Sequence, residues 1–265
     1  MNIKGLIRST VNRLGFNLSK LPEKIPSVLP SKTEGGIGFY QTAHGNYFLP
    51  VNVSNDIVIN CIKAGLIFEP EVVETAKRFI KKGTTVLDVG SNFGQMAMAF
   101  ARLTGENGAV FAFEAQKKVF DLLEKNLAAN SVTNVRPVFN AVYFESGKTF
   151  YFPEPDFVRF DSYGSYNLPL DLKTGQEVVS LKIDDLEIEK PVSFMKVDVQ
   201  GCDLFAMQGA AKTIEKHRMP ILFEFEQQFQ DEYHTDFQDY VEFVDSIGYK
   251  FAEVILNNNY LIVPR

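Results

Sequence analysis

The run from 86 to 94, "VLDVGSNFG", reads as a buried strand that ends in a carboxylate and breaks into a glycine turn. Val86, Leu87 and Val89 suit a parallel strand covered on both faces. Gly90 permits a sharp backbone turn, Gly94 permits close approach of a ligand or of the sheet, and a helix opens near Gln95. Such a unit leaves a nucleoside-sized slot at the carboxyl end of a strand, where open α/β sheets place their ligands. Twenty residues beyond Gly94, a second strand ends in Glu114, an acid placed to accept hydrogen bonds from both ribose hydroxyls. An ordinary strand-turn-helix without a ligand would share the glycines and is the weaker reading.

The glycine spacing selects among nucleosides. A dinucleotide fingerprint, G-x-G-x-x-G, sets a helix N-terminus against a pyrophosphate. Here Asn92 stands in place of the middle glycine and Asp88 adds a negative charge beside the turn. An anionic pyrophosphate would be repelled, whereas S-adenosylmethionine brings a sulfonium and an ammonium. The methyl donor is therefore preferred to NAD.

At 265 residues the chain accommodates one large domain with an N-terminal extension, divided as 1–34 and 35–265. A net charge of -6 argues against a nucleic-acid partner. Cys61 and Cys202 have no metal-ligand spacing, and two lone thiols fit a reducing, cytoplasmic compartment. Nothing resembles a membrane span or a signal peptide. In the first 24 residues five basic side chains oppose one acid, a net +4 that leaves -10 for the remainder. Ile3, Leu6, Ile7, Val11 and Leu14 share one helical face. Residues 3–14 thus suit weak peripheral contact with an anionic membrane face, or packing on the chain's own domain or on a second subunit of a homo-oligomer; packing is preferred. The Pro-rich stretch 22–30 reads as a linker.

Further along, 47–49 and 51–53 suggest a small hairpin, and 72–80 an amphipathic helix. Strands and helices then alternate over 85–89, 95–104, 109–114, 116–130 and 134–139. Short strands and an aromatic loop follow, and alternation resumes with a strand at 192–199, a helix at 203–216 and a strand at 221–225. A helix ends at Gly248, and 251–256 with 260–263 close the chain as a hairpin. The expected fold is α/β: a mostly parallel sheet with a terminal antiparallel hairpin.

With these blocks in hand, the chain resembles the FkbM-type family of S-adenosylmethionine-dependent methyltransferases. "LIFEPE" at 66–71, "VLDVGSNFG" at 86–94, "VFAFEA" at 110–115 and "NLAANSVTNV" at 126–135 occur in the family's order. "NAV" at 140–142, "LKIDDL" at 181–186, "FMKVDVQGCDLFAMQGA" at 194–210 and "MPILFEFE" at 219–226 complete the match. The resemblance implies a class I methyltransferase sandwich, Rossmann-like, with a seven-stranded sheet, and an O-methyltransferase acting on sugars or polyketides. By position, Asp88, Gly90, Asn92 and Gly94 would hold the donor's methionine part. Glu114, with Ala115 beside it, would hold the ribose. Asn140 and Ala141 would flank the adenine, and Glu69 would close over the donor. The chain departs from the family at Gln200, where Glu is usual, at Asp203, where a longer acid is usual, and at Tyr143-Phe144, which replace Ser-Asp.

Methyl transfer from a sulfonium is an in-line displacement aided chiefly by alignment, and a sugar hydroxyl also needs a base. Asp198, at the end of a central strand, is the first candidate; Glu224, with Glu226 on the same face of the next strand, is the second. Asp198 could instead cap the next helix or fix Lys196. His44, His217 and His234 are weaker candidates, and a divalent metal on Asp198, Asp203 and Glu224 is disfavoured. The segment 151–169 mixes aromatic and polar side chains, as a saccharide or other small-molecule acceptor would require, and equally as a lid would. Methylation of a non-sugar acceptor at oxygen or nitrogen, and donor binding without catalysis, remain alternatives.

Overall fold

The computed structural model describes residues 29–51, 53, 56–153 and 167–265. The expected helix at 3–14, most of the linker and residues 154–166 of the acceptor segment lie outside them. Three strands open the described chain: β1 (Lys32–Glu34), β2 (Ile37–Thr42) and β3 (Gly45–Pro50). Helices α1 (Ile57–Lys63) and α2 (Pro70–Lys77) follow. Next come β4 (Thr85–Val89), α3 (Gln95–Thr104), β5 (Ala109–Glu114), α4 (Lys117–Ala129) and β6 (Val135–Phe139). A side sheet uses β7 (Ala141–Val142), β8 (Thr149–Phe152) and β9 (Gln176–Leu181). The chain then forms β10 (Val192–Val197), α5 (Asp203–Gln208), α6 (Ala211–His217) and β11 (Ile221–Glu224). It ends with α7 (Gln227–Tyr233), α8 (Phe237–Ser246), β12 (Tyr249–Ile255) and β13 (Asn259–Pro264).

The main sheet has the order β12-β13-β11-β10-β4-β5-β6. β13 alone runs against its neighbours β11 and β12; the four pairings from β11 across to β6 are parallel. This is the class I methyltransferase arrangement. From β4 the chain steps outward through β5 to β6, then returns to β10 and steps the other way. The reversal between β4 and β10 opens a crevice at the carboxyl ends of the strands.

Strand alternation divides the core between the two faces of the sheet. Val86, Val110, Phe194 and Leu222 pack on one face with Phe93, Phe100 and Leu123. Leu87, Val89, Phe113, Met195 and Phe223 pack on the other with Met207, Ile214 and Tyr240. The first face also carries Asp88 and Lys196, paired in register across β4 and β10, while Ala112 opposite Asp88 leaves them room.

Two boundaries differ from expectation. The small hairpin is β2–β3, turning at Ala43-His44, and not 47–49 with 51–53. Its backbone is bound to α4: Phe48 N–H donates to Asn126 Oδ1 (2.6 Å), Asn46 N–H to Asn130 Oδ1 (2.8 Å), and Asn130 Nδ2 to Asn46 O (2.7 Å). The single helix expected at 203–216 is two helices. The backbone leaves helical geometry at Ala210 (φ -112, ψ 9), beside Gly209, where a Cβ would lie 2.1 Å from Tyr143 O. Asp184 then caps the second helix by accepting from Lys212 N–H (3.0 Å) and Thr213 N–H (2.8 Å). No helix among the described residues is long and apolar enough to cross a membrane.

Candidate active site

A cavity of about 230 Å³ occupies the crevice between β4 and β10. Gly90, Asn92, Glu114, Ala115, Asn140 and Ala141 line it on one side; Asp198, Gln200, Glu224 and Glu226 line it on the other. Phe68 and Glu69, with Ile57, Val58 and Ile62 of α1, close it from above. Helix α1 has no counterpart in the sequence reading, although its apolar residues supply part of this roof.

Gly90 has φ +82, and a Cβ there would lie 1.8 Å from the carbonyl oxygen of Asp198. Contact between the ends of β4 and β10 therefore demands glycine. Asn92 also has positive φ (+49) and steadies the turn by accepting Phe93 N–H at Oδ1 (2.8 Å). Its own N–H donates to Glu114 Oε2 (2.9 Å), and Gln116 N–H donates to Oε1 (2.9 Å). Burial pushes the Glu114 carboxyl up, and these backbone donors pull it back. The acid is thus fixed in orientation by two backbone donors, with lone pairs still available.

Two of the residues expected at the donor lie off the cavity lining. Gly94 does not line the cavity: a Cβ there would lie 2.5 Å from Leu123 Cδ1, so the missing side chain serves packing of α3 against α4. Asp88 is fully buried and does not line the cavity either. It sits behind Lys196, 3.8 Å from Nζ, and neither carboxylate oxygen accepts a hydrogen bond among the described residues. The sequence reading did not join this pair; the signal that could have found it is a lysine inside the wholly buried strand β10, because such a charge requires a partner.

Lys196 holds several groups together. Its Nζ lies 3.1 Å from Asp198 Oδ2 and donates to Gly90 O (3.0 Å). Burial alone would lower the ammonium, but Asp198 and Asp88 outweigh it and raise the group. Burial likewise would raise the Asp198 carboxyl, yet Lys196 prevails and holds it below the usual carboxylate range. Gln200, at φ +52, spends both protons of its amide on the wall: Nε2 donates to Asp198 Oδ1 (3.0 Å) and to Glu224 Oε2 (3.1 Å). Asn258 Nδ2 donates to Glu224 Oε1 (2.7 Å).

The remaining acids lack such compensation. Burial, then the neighbouring Asp198 carboxylate, push Glu69 up to about 8 and Glu224 well above the ordinary value. Asp203, behind the wall in the first turn of α5, is pushed up to about 8 for the same two reasons. Among the described residues the cavity is therefore short of positive charge, and a cationic ligand would relieve it. That chemistry fits the sulfonium and ammonium of S-adenosylmethionine. The histidines considered from sequence do not line the cavity, and among the described residues no group of three or more His, Cys, Asp or Glu could hold a metal.

Residues 88–251 match the family model of the methyltransferase FkbM domain, well over half of the chain. The chain belongs to the FkbM methyltransferase family. Members of this family are S-adenosylmethionine-dependent methyltransferases. The protein-L-isoaspartate O-methyltransferase of Methanococcoides burtonii is 39% identical over 59 residues, covering 22% of this chain and 29% of that protein. The chain thus matches under a third of that relative's length. Among solved structures, the FkbM methyltransferase of Methylobacillus flagellatus KT is 15% identical, covering 80% of this chain and 56% of that one, with a TM-score of 0.46. Aeropyrum pernix fibrillarin with bound S-adenosyl-L-methionine is 13% identical, covering 89% and 85%, with a TM-score of 0.41.

Proposed function

We propose that the FkbM domain transfers the donor methyl group to a hydroxyl of a sugar or glycoconjugate precursor. The observation that carries the reading is the pair of carboxyl groups, Asp198 and Glu224, joined by one Gln200 amide in the wall of the donor cavity. A hydroxyl is a poor nucleophile until its proton is removed, and a positioned base contributes roughly 10²–10⁴-fold. The same wall carries Glu226 and Gln228, whose carboxylate and amide suit the other hydroxyls of a saccharide, beside the apolar Phe152 and Leu168.

Incubation with methyl-labelled donor and a panel of nucleotide sugars and oligosaccharides tests the reading. Label on a sugar oxygen is the expected result. Label on nitrogen, or on a non-sugar metabolite, moves the acceptor to another class. Tight donor binding without turnover on any cell extract would make the protein a donor-binding one.

A further inference from the structure

We infer that Glu224, and not the ion-paired Asp198, takes the acceptor's proton, and that Gln200 is the positioning residue that divides the two roles. The inference rests on the methyl-transfer reading above and selects between its two candidate bases.

The contacts of the two carboxylates differ in kind. Asp198 spends Oδ2 on Lys196 and Oδ1 on Gln200. A carboxylate held by a buried ammonium has little remaining affinity for a proton. Glu224 is 7% exposed and receives hydrogen bonds from two neutral amides, Gln200 and Asn258. Among the described residues it forms no ion pair.

The charged groups facing Glu224 come from four directions. Asp198 and Lys196 belong to β10 and its end, Glu226 stands past the end of β11 at the start of α7, Glu69 descends from the start of α2, and Asp203 stands in α5. Burial and then these four acids push the Glu224 carboxyl well above its ordinary value, and among the described residues the cation lining the cavity is Lys196, already paired twice. A bound sulfonium supplies the missing positive charge, so Glu224 ionises as the donor enters and becomes a competent base. In the transfer, the acceptor O–H bond breaks and its proton passes to the Glu224 carboxylate. The acceptor oxygen forms its bond to the methyl carbon, and the electrons of the broken carbon–sulfur bond stay on sulfur, which becomes a neutral thioether.

Gln200 makes the division possible because its two amide protons bind one oxygen of each acid. It bridges the two carboxyl groups, which also share a hydrogen bond with each other. A glutamate at this position would remove both donors and add a third negative charge.

Calorimetry on the full chain near neutral pH, in buffers of different ionisation enthalpy, counts the protons released on binding. S-adenosylmethionine should release more than S-adenosylhomocysteine, whose sulfur is neutral, and Glu224→Gln should still bind the donor while releasing fewer protons than wild type. Release independent of the sulfonium, or equal in wild type and Glu224→Gln, overturns the inference. With an acceptor returned by the labelling panel, Glu224→Gln should lose roughly 10²–10⁴-fold in kcat and the acid limb of its pH profile. Asp198→Asn should keep that limb, shifted to lower pH because a neighbouring negative charge is gone. Gln200→Ala should shift the limb and lower kcat. If Glu224→Gln folds poorly, Glu224→Asp carries the test by retaining the limb at reduced kcat. A limb lost in Asp198→Asn but kept in Glu224→Gln reverses the assignment. Failure of wild type to bind the donor would instead strike the methyl-transfer reading itself.

Discussion

A single methyl group at Gly90 would collide with the backbone of Asp198 at 1.8 Å and would also strain a φ of +82. The obstacle is backbone, which cannot step aside as a flexible side chain can. Gly90→Ala is therefore expected to cost several kcal/mol of stability or to part the ends of β4 and β10 and abolish donor binding. Thermal unfolding together with donor calorimetry checks this; wild-type values for both would refute it. Gly94, seemingly equivalent in sequence, answers to a different neighbour, Leu123 on α4. Two glycines of one motif thus act at different levels, one in the cavity wall and one in helix packing. Which is which was not legible in the sequence, because the distinction depends on what lies opposite each missing Cβ.

Helix α3 reaches backward as well as forward. Its first residue, Gln95, accepts Phe68 N–H at Oε1 and donates from Nε2 to Leu66 O, both at 2.8 Å. This side chain ties the segment before α2 over the cavity, where Glu69 is held at φ +46 and is 8% exposed. Gln95→Ala should free that segment and raise the donor Kd by roughly tenfold, the equivalent of about 1.4 kcal/mol, with kcat little changed. Unchanged affinity would show that the roof closes without the tie. The blocks "LIFEPE" and "VLDVGSNFG" were each legible as motifs, and the hydrogen bonds that join them were not. Likewise, the position of the helix after β10 was legible and its break was not: Gly209 yields to Tyr143, a residue 66 positions earlier in the chain.

For the whole molecule, the shortage of positive charge in the cavity has a consequence for stability. Glu69 rises from 4.5 to about 8 and Asp203 from 3.8 to about 8 on folding. Between those limits the native state binds more protons than the unfolded chain, so stability must fall as pH rises. Each such group contributes a slope of up to about 1.4 kcal/mol per pH unit within its window. Urea unfolding of the donor-free protein from pH 5.5 to 8.5 should show this decline, and Glu69→Gln should flatten it. A stability that rises over this range would contradict the assignment. Saturating S-adenosylmethionine should oppose the loss most at the alkaline end, where the acids are ionised and the native state gains most from a bound cation.

Taken alone, the sequence determined the alternation of strands and helices, the strand-end acids Glu114, Asp198 and Glu224, and the glycine turn that marks a nucleoside site. These are local properties: hydrophobic period, turn chemistry and the residue that ends each strand. Tertiary structure alone decided which acids are neutralised. Lys196 meets Asp88 because β10 lies beside β4 in register, despite 107 residues of intervening chain, and Glu69 enters the same cavity from outside the sheet. Alternation assigns a side chain to a face, but its partner on that face depends on strand order and crossover, and long-range contacts settle both.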